Sequence, residues 1–188
     1  MRNEQLLRKI LAERLSPARL AHSLNVAQSA RSLARHYGAD EEAAFFAGLA
    51  HDICKCDGAE KMTALLEKAG YSFLPCEPGN ANLLHAPAGA ELLQAAGLCD
   101  EPEILDAVRY HSTGRAGMSL LEKIIFTADL ISADRHYPDV ETVRRLAYED
   151  LDGAVRYVLR YVVASLTAKG AEIHPNSLLC LEALGIGS

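Results

Sequence analysis

No apolar stretch in this sequence is long enough to cross a bilayer, which takes about 20 unbroken residues. One of the greasiest segments, Leu120 to Ile131, is interrupted by Glu122, Lys123 and Asp129. The first ten residues carry charges throughout and have no small-residue cleavage site, so a secretory leader is not expected. Strand signals are scarce as well, with no clear alternating run; Asp57-Gly58 fits a helix entry better than a hairpin. Tryptophan is absent. The five cysteines, Cys54, Cys56, Cys76, Cys99 and Cys180, contain no C-x-x-C pair, which argues against a zinc knuckle. Their odd number suits free thiols used as small apolar residues, Cys76 in its loop included. Basic charge is also short: 19 Lys and Arg against 25 Asp and Glu leave a net charge of -6, unlike a protein that coats nucleic acid with a basic face. The expectation is a cytoplasmic protein with no membrane and no nucleic acid as partner.

What is present describes a globular chain. At 188 residues, with 49 % hydrophobic and 23 % charged residues, it reads as a single domain spanning residues 1–188. Helix signals run almost throughout. Ser16-Pro17 is an N-cap with proline in the first turn, and the helix it opens continues to Tyr37 before Gly38. Asp40 caps a second helix that runs into His51-Asp52, and Ala59 to Ala69 forms a third. Tyr71 to Asn82, with two prolines, reads as a loop. Pro87 disfavours helical geometry at Ala86, so the next helix is expected to begin about there and end near Gly97. Pro102 opens one toward Tyr110, and Ser119-Leu-Leu-Glu122 is a capping-box pattern for a helix through Ala133. A further helix covers about Asp152 to Lys169, and His174-Pro175 marks a turn before a last one. The fold class is all-α, a helical bundle able to host a metal centre between its helices.

The chemistry lies in polar residues set where helices are normally greasy. His22, His51, His85 and His111 fall in apolar or helix-edge contexts, whereas His36 and His136 lie among charges. Asp52 follows His51 directly, and Asp129 is embedded in Ile-Ile-Phe-Thr-Ala-Asp-Leu-Ile. An isolated buried carboxylate must neutralise, pair or bind a metal. One histidine on an apolar face is most often a hydrogen-bonded core residue, but the ordered set H…HD…H…H…D is hard to account for in that way. Imidazole nitrogen with carboxylate oxygen suits iron, manganese or zinc rather than calcium or magnesium. Arg19, Lys55, Arg109, Arg115, Lys123 and Arg135 lie near these residues in sequence and can complement phosphate. Lys55 and Arg135 are favoured, and His85, at the expected entry of its helix, adds backbone N–H groups that suit anions.

These spacings resemble the HD superfamily of metal-dependent phosphohydrolases, named for the histidine-aspartate doublet. More narrowly, R-L-A-H-S-L-N-V-A, A-G-L-A-H-D-I-C-K, L-L-H-A-P-A-G-A, R-Y-H-S-T-G-R-A-G-M-S-L-L-E-K-I-I-F-T-A-D and the late I-H-P are similar to the YqeK-like group, over about residues 17–176. The resemblance implies symmetrical hydrolysis of diadenosine tetraphosphate to two ADP, with iron as one or two ions, or manganese or another divalent metal. It implies His22, His51, Asp52 and Asp129 as metal ligands. Asp52, His85 and His111 are then the catalytic set, with Arg19, Lys55, His85, His111, Arg115 and Arg135 as substrate contacts. His85 and His111 either bind a second ion or hold phosphate oxygens, and His174 is a candidate nucleotide contact. Two alternatives stand beside this reading: another HD-type phosphohydrolase acting on nucleoside mono- or triphosphates, and a non-catalytic nucleotide-binding module. The oligomeric state is open, a homodimer being one expectation.

Overall fold

The computed structural model describes residues 2–185 and resolves ten helices among them. In chain order they are α1 Glu4–Arg14, α2 Pro17–Tyr37, α3 Glu41–Ala50, α4 Ala59–Lys68 and α5 Ala81–Ala95, then α6 Pro102–Arg109, α7 Leu120–Ile131, α8 Val140–Glu149, α9 Leu151–Ala168 and α10 Pro175–Ala183. Among the described residues the sole extended pairing is an isolated bridge between Arg2 and Cys99. The all-α expectation is met.

Local chemistry sets most boundaries. The Ser16 side chain accepts from the Arg19 amide, Pro17 occupies the first turn of α2, and Gly38 ends it at φ 71°, a left-handed conformation that glycine adopts without strain. Asp40 accepts from the amides of Glu42 and Ala43 to start α3. Ser119 and Glu122 form both halves of the capping box of α7. That helix stops at Ile131, short of the expected Ala133.

Three features depart from the sequence expectations. The fourth expected helix begins at Ala81 behind an Asn80 cap, not at Ala86-Pro87, and Pro87 lies inside it. The burial of Leu84, His85, Ala86, Ala88 and Leu93 outweighs the hydrogen bond that proline removes. His85 therefore sits a full turn inside α5, and the reading of it at a helix entry with free amides is withdrawn. Next, α3 ends at Ala50, and residues 51–56 form a chain of turns closed by Ile53 N–H to Ala50 O and Lys55 N–H to Asp52 O. Finally, no helix was expected at α1 or α8. Both are amphipathic, burying Leu7 and Leu11, and Val140, Val143 and Ala147. Asp139 of α8 makes no side-chain cap bond.

Helix α3 lies in the middle, buried from Ala43 to Ala50 and packed against α2, α6 and α7. Buried apolar side chains form one cluster reaching from Leu7 to Leu181. The α2–α3 contact is so close that a Cβ built on Gly48 would lie 2.9 Å from Ala27 Cα, a backbone atom that cannot swing aside. Gly48→Ala is expected to force the helices apart and cost about 1–3 kcal/mol. Thermal melting checks this, with a fall of roughly 2–4 °C per kcal/mol for a domain of this size.

Candidate metal centre

Five helices or their ends converge on one point. His22 projects from the second turn of α2, His51 and Asp52 follow α3, His85 comes from α5, His111 follows α6, and Asp129 lies near the end of α7. His22, His51, Asp52, His85 and His111 are between 0 and 5 % exposed, while the Asp129 side chain keeps 19 % of its surface open.

The hydrogen bonds made by the ring nitrogens decide what the others can do. His51 Nδ1 donates to Gly48 O at 2.7 Å, and His111 Nδ1 donates to Val108 O at 2.8 Å. His22 Nδ1 lies 2.7 Å from Asp134 Oδ2, which as a carboxylate only accepts. In the neutral rings all three Nε2 atoms therefore carry lone pairs and face inward. His22 Nε2 is 2.9 Å from Asp129 Oδ1, and His51 Nε2 is 3.3 Å from Asp52 Oδ2 and 3.9 Å from Asp129 Oδ1. Neither nitrogen has a hydrogen-bond partner of acceptable geometry, although both are buried. In that neutral state acceptors are turned toward acceptors, which is the donor set of a cation. The residue groups His22, His51, Asp129 and His51, Asp52, His111 each bring three ligand atoms within 4.8 Å of one another.

Asp52 joins two halves of the site. Its Oδ2 faces His51 and, at 4.0 Å, His22; its Oδ1 faces His85 Nε2 at 3.3 Å and His111 Nε2 at 3.7 Å. The second half differs in its proton supply. His85 Nε2 is 3.1 Å from His111 Nε2 and lies near Lys55 Nζ at 3.3 Å, so donors are available there. Burial, the neighbouring His111 and the Lys55 ammonium push the His85 pKa down to about 4, against the pull of Asp52. Burial opposes ionisation of Asp52 and Asp129, yet the facing histidines hold both carboxyls below the usual carboxylate range. His51 is moved upward: burial works against its charged form, but Asp52 and Asp129 outweigh it.

Three of the expected cations border this cluster. Arg19 Nη1 is 2.9 Å from Asp52 Oδ2, Lys55 reaches His85, and Arg135 contacts the Asp129 carboxylate while its Nε donates to Asp129 O at 2.7 Å. Arg115 is placed elsewhere. It forms a two-point pair with the buried Glu122, reaches Asp106 and stacks on Tyr110. Arg109 pairs with Glu91 and Asp106, and Lys123 with Asp152. His36 and His136 are exposed. His174 is buried beside Glu77, which also accepts from the Tyr71 hydroxyl and the Leu74 amide. The sequence reading missed Asp134, together with Asn25 Nδ2, which donates to Asp134 Oδ1 at 3.1 Å. Separated by more than 100 positions, the pair leaves no local pattern to find.

The HD domain family matches residues 19–134, a span that contains all six converging residues. The chain belongs to this family. A relative from Bacillus subtilis (strain 168), named symmetrical bis(5'-nucleosyl)-tetraphosphatase, is 38 % identical over 94 % of this chain and 94 % of its own. One of the same name from Halalkalibacterium halodurans is 37 % identical over 90 % of each. A crystal structure from Clostridium acetobutylicum, described as a "predicted HD superfamily hydrolase involved in NAD metabolism", superposes with a TM-score of 0.94. It is 34 % identical and covers 98 % of this chain and 97 % of its own. The fold and the HD doublet of this chain are thus those of the family, whose members bind divalent metal.

Metal added to the stripped protein is expected to stabilise it by about 2.7 kcal/mol at a hundredfold excess over Kd, read as a rise in Tm. Asp52→Asn is expected to abolish that rise. Because protons compete for the same lone pairs, affinity should fall as pH is lowered. His51, shifted up from 6.5, makes the fall begin above that pH. A Tm response that ignores both pH and Asp52→Asn would place the metal elsewhere.

Proposed function

We propose that this chain is a metal-dependent hydrolase that cuts diadenosine tetraphosphate into two ADP, working as a cytoplasmic enzyme with iron as its metal. The observation that supports the reading is the pair of buried, unpartnered Nε2 atoms of His22 and His51 facing two ionised carboxylates, with Arg19, Lys55 and Arg135 around them. The names of the two tetraphosphatase relatives point to the substrate.

In this reading His22, His51, Asp52 and Asp129 would hold the metal, which when bound would supply an acidified water and draw charge from phosphate. Arg19 and Arg135, which here sit on Asp52 and Asp129, are placed to donate to phosphate oxygens beside those carboxylates. Lys55 Nζ donates to phosphate from the His85 side. Its pKa is lowered mainly by burial, so the ammonium gives up little hydration when it binds an anion. His85 and His111 would hold phosphate oxygens or a second ion. Arg115, bound to Glu122, steadies the segment that follows His111 and reaches substrate only by leaving that partner.

Turnover of diadenosine tetraphosphate by metal-analysed protein, with products separated, tests the reading. Two ADP are expected, and in oxygen-18 water one of the two carries a single heavy oxygen. AMP plus ATP would show asymmetric cutting, and inertness toward the dinucleotide with turnover of NAD or of simple nucleotides would replace the substrate. A second expectation concerns Lys55→Met. It should keep its metal content and lose about 10- to 100-fold in kcat/KM, the equivalent of a charge-assisted hydrogen bond of about 1.5–3 kcal/mol.

A further inference from the structure

His51 and His111 are oriented by the same local device, a bond from Nδ1 to the carbonyl three residues earlier. His22 is oriented differently. It sits inside α2, in the second turn, where the neighbouring backbone carbonyls are engaged in the helix, and its Nδ1 partner is Asp134 Oδ2 at 2.7 Å, from the turn after α7. That carboxylate is itself held, because Asn25, one turn on from His22 along α2, donates to Oδ1 at 3.1 Å. The Asp134 side chain is 37 % exposed and that of His22 6 %, so the bond runs from a buried ring to the protein surface.

The turn is fastened from behind. Arg144 of α8 donates through Nε to Ile131 O at 3.1 Å and through Nη2 to Ser132 O and Arg135 O at 3.0 and 3.2 Å. The next residue, Arg135, holds the carbonyl of Asp129. A short stretch of chain thus grips His22 on α2 and Asp129 on α7, which approach each other to 2.9 Å across the centre.

We propose that Asp134, braced by Asn25 on a turn fastened by Arg144, is the positioning residue that makes His22 a metal ligand through Nε2; this rests on reading the cluster as a metal centre. A carboxylate behind a ligating imidazole does two things that a neutral carbonyl does less well. It fixes the proton on the far nitrogen, and its charge makes the near one a better donor to a cation. Losing it should weaken the metal without unfolding the chain.

The test uses the full-length protein and manganese alone, with free ion read by electron paramagnetic resonance. Asp134→Ala is expected to weaken manganese binding by about 10- to 100-fold, the range found for partners of metal-bound histidines, with Asp134→Asn between it and the parent. Metal-free melting temperatures should stay at the parent value. In the metal-free parent at alkaline pH, nitrogen-15 shifts should show His22 protonated on Nδ1, and Asp134→Ala should lose that preference. Unchanged affinity in both variants, or a parent His22 carrying its proton on Nε2, overturns the proposal. So does a loss of affinity matched by a fall in metal-free stability, which would make Asp134 a structural prop. If the parent bound no manganese, the metal reading would fall, and the nitrogen-15 shifts would still decide whether Asp134 sets the His22 tautomer.

Discussion

Two ionised carboxylates and the inward nitrogens of two imidazoles are turned on one another in the interior. Such a set is stable only with positive charge in its midst, and every nearby feature of the fold serves that requirement. Arg19 and Arg135 donate to Asp52 Oδ2 and Asp129 Oδ1, the same oxygens that face the imidazoles. Backbone carbonyls and Asp134 hold the protons of His51, His111 and His22 on the far nitrogens. Remove the cation and the region becomes a concentration of like partial charges, so chemistry and folding stability draw on the same contacts.

The two halves around Asp52 are unlike. On the side of His22 and His51 nothing donates a proton to the inward nitrogens, whereas on the side of His85 and His111 the Lys55 ammonium and a shareable imidazole proton are at hand. The first side offers a cation unshared acceptors, while the second has donors of its own. That asymmetry supports the proposed four-ligand set more than a second ion at the other pair.

Much of this was legible in the chain. Ser16, Pro17 and Gly38 mark both ends of α2, and Ser119 with Glu122 marks the start of α7, because caps act over three or four residues. The six converging residues stood out because histidines and carboxylates occupy positions that periodicity assigns to the core. Long-range events were not readable. Pro87 signals a helix start by local rules, yet burial of its neighbours carries α5 through it. Asn3 caps α1, but Asp139 makes no side-chain cap bond, so the start of α8 depends on packing. Arg115 looked like a phosphate contact from its place in the motif, but its pairing with Glu122 became visible only when α7 was seen against the preceding loop. Asp134 was invisible for the same reason, since its meaning comes from a helix at the other end of the domain.

The contact at Gly48 bears on how this centre can change over evolutionary time. Backbone meets backbone where α2 crosses α3, so the separation of the two helices is set by main-chain atoms rather than by replaceable side chains. His22 and His51 hang from either side of that crossing, their rings 5.4 Å apart between centroids. Substitutions elsewhere in the core alter side-chain packing but not the main-chain contact that spaces the two imidazoles. Lineages that diverge widely in sequence would therefore inherit the same ion-sized gap, and a switch to an ion of different radius would have to begin with the main chain at this crossing.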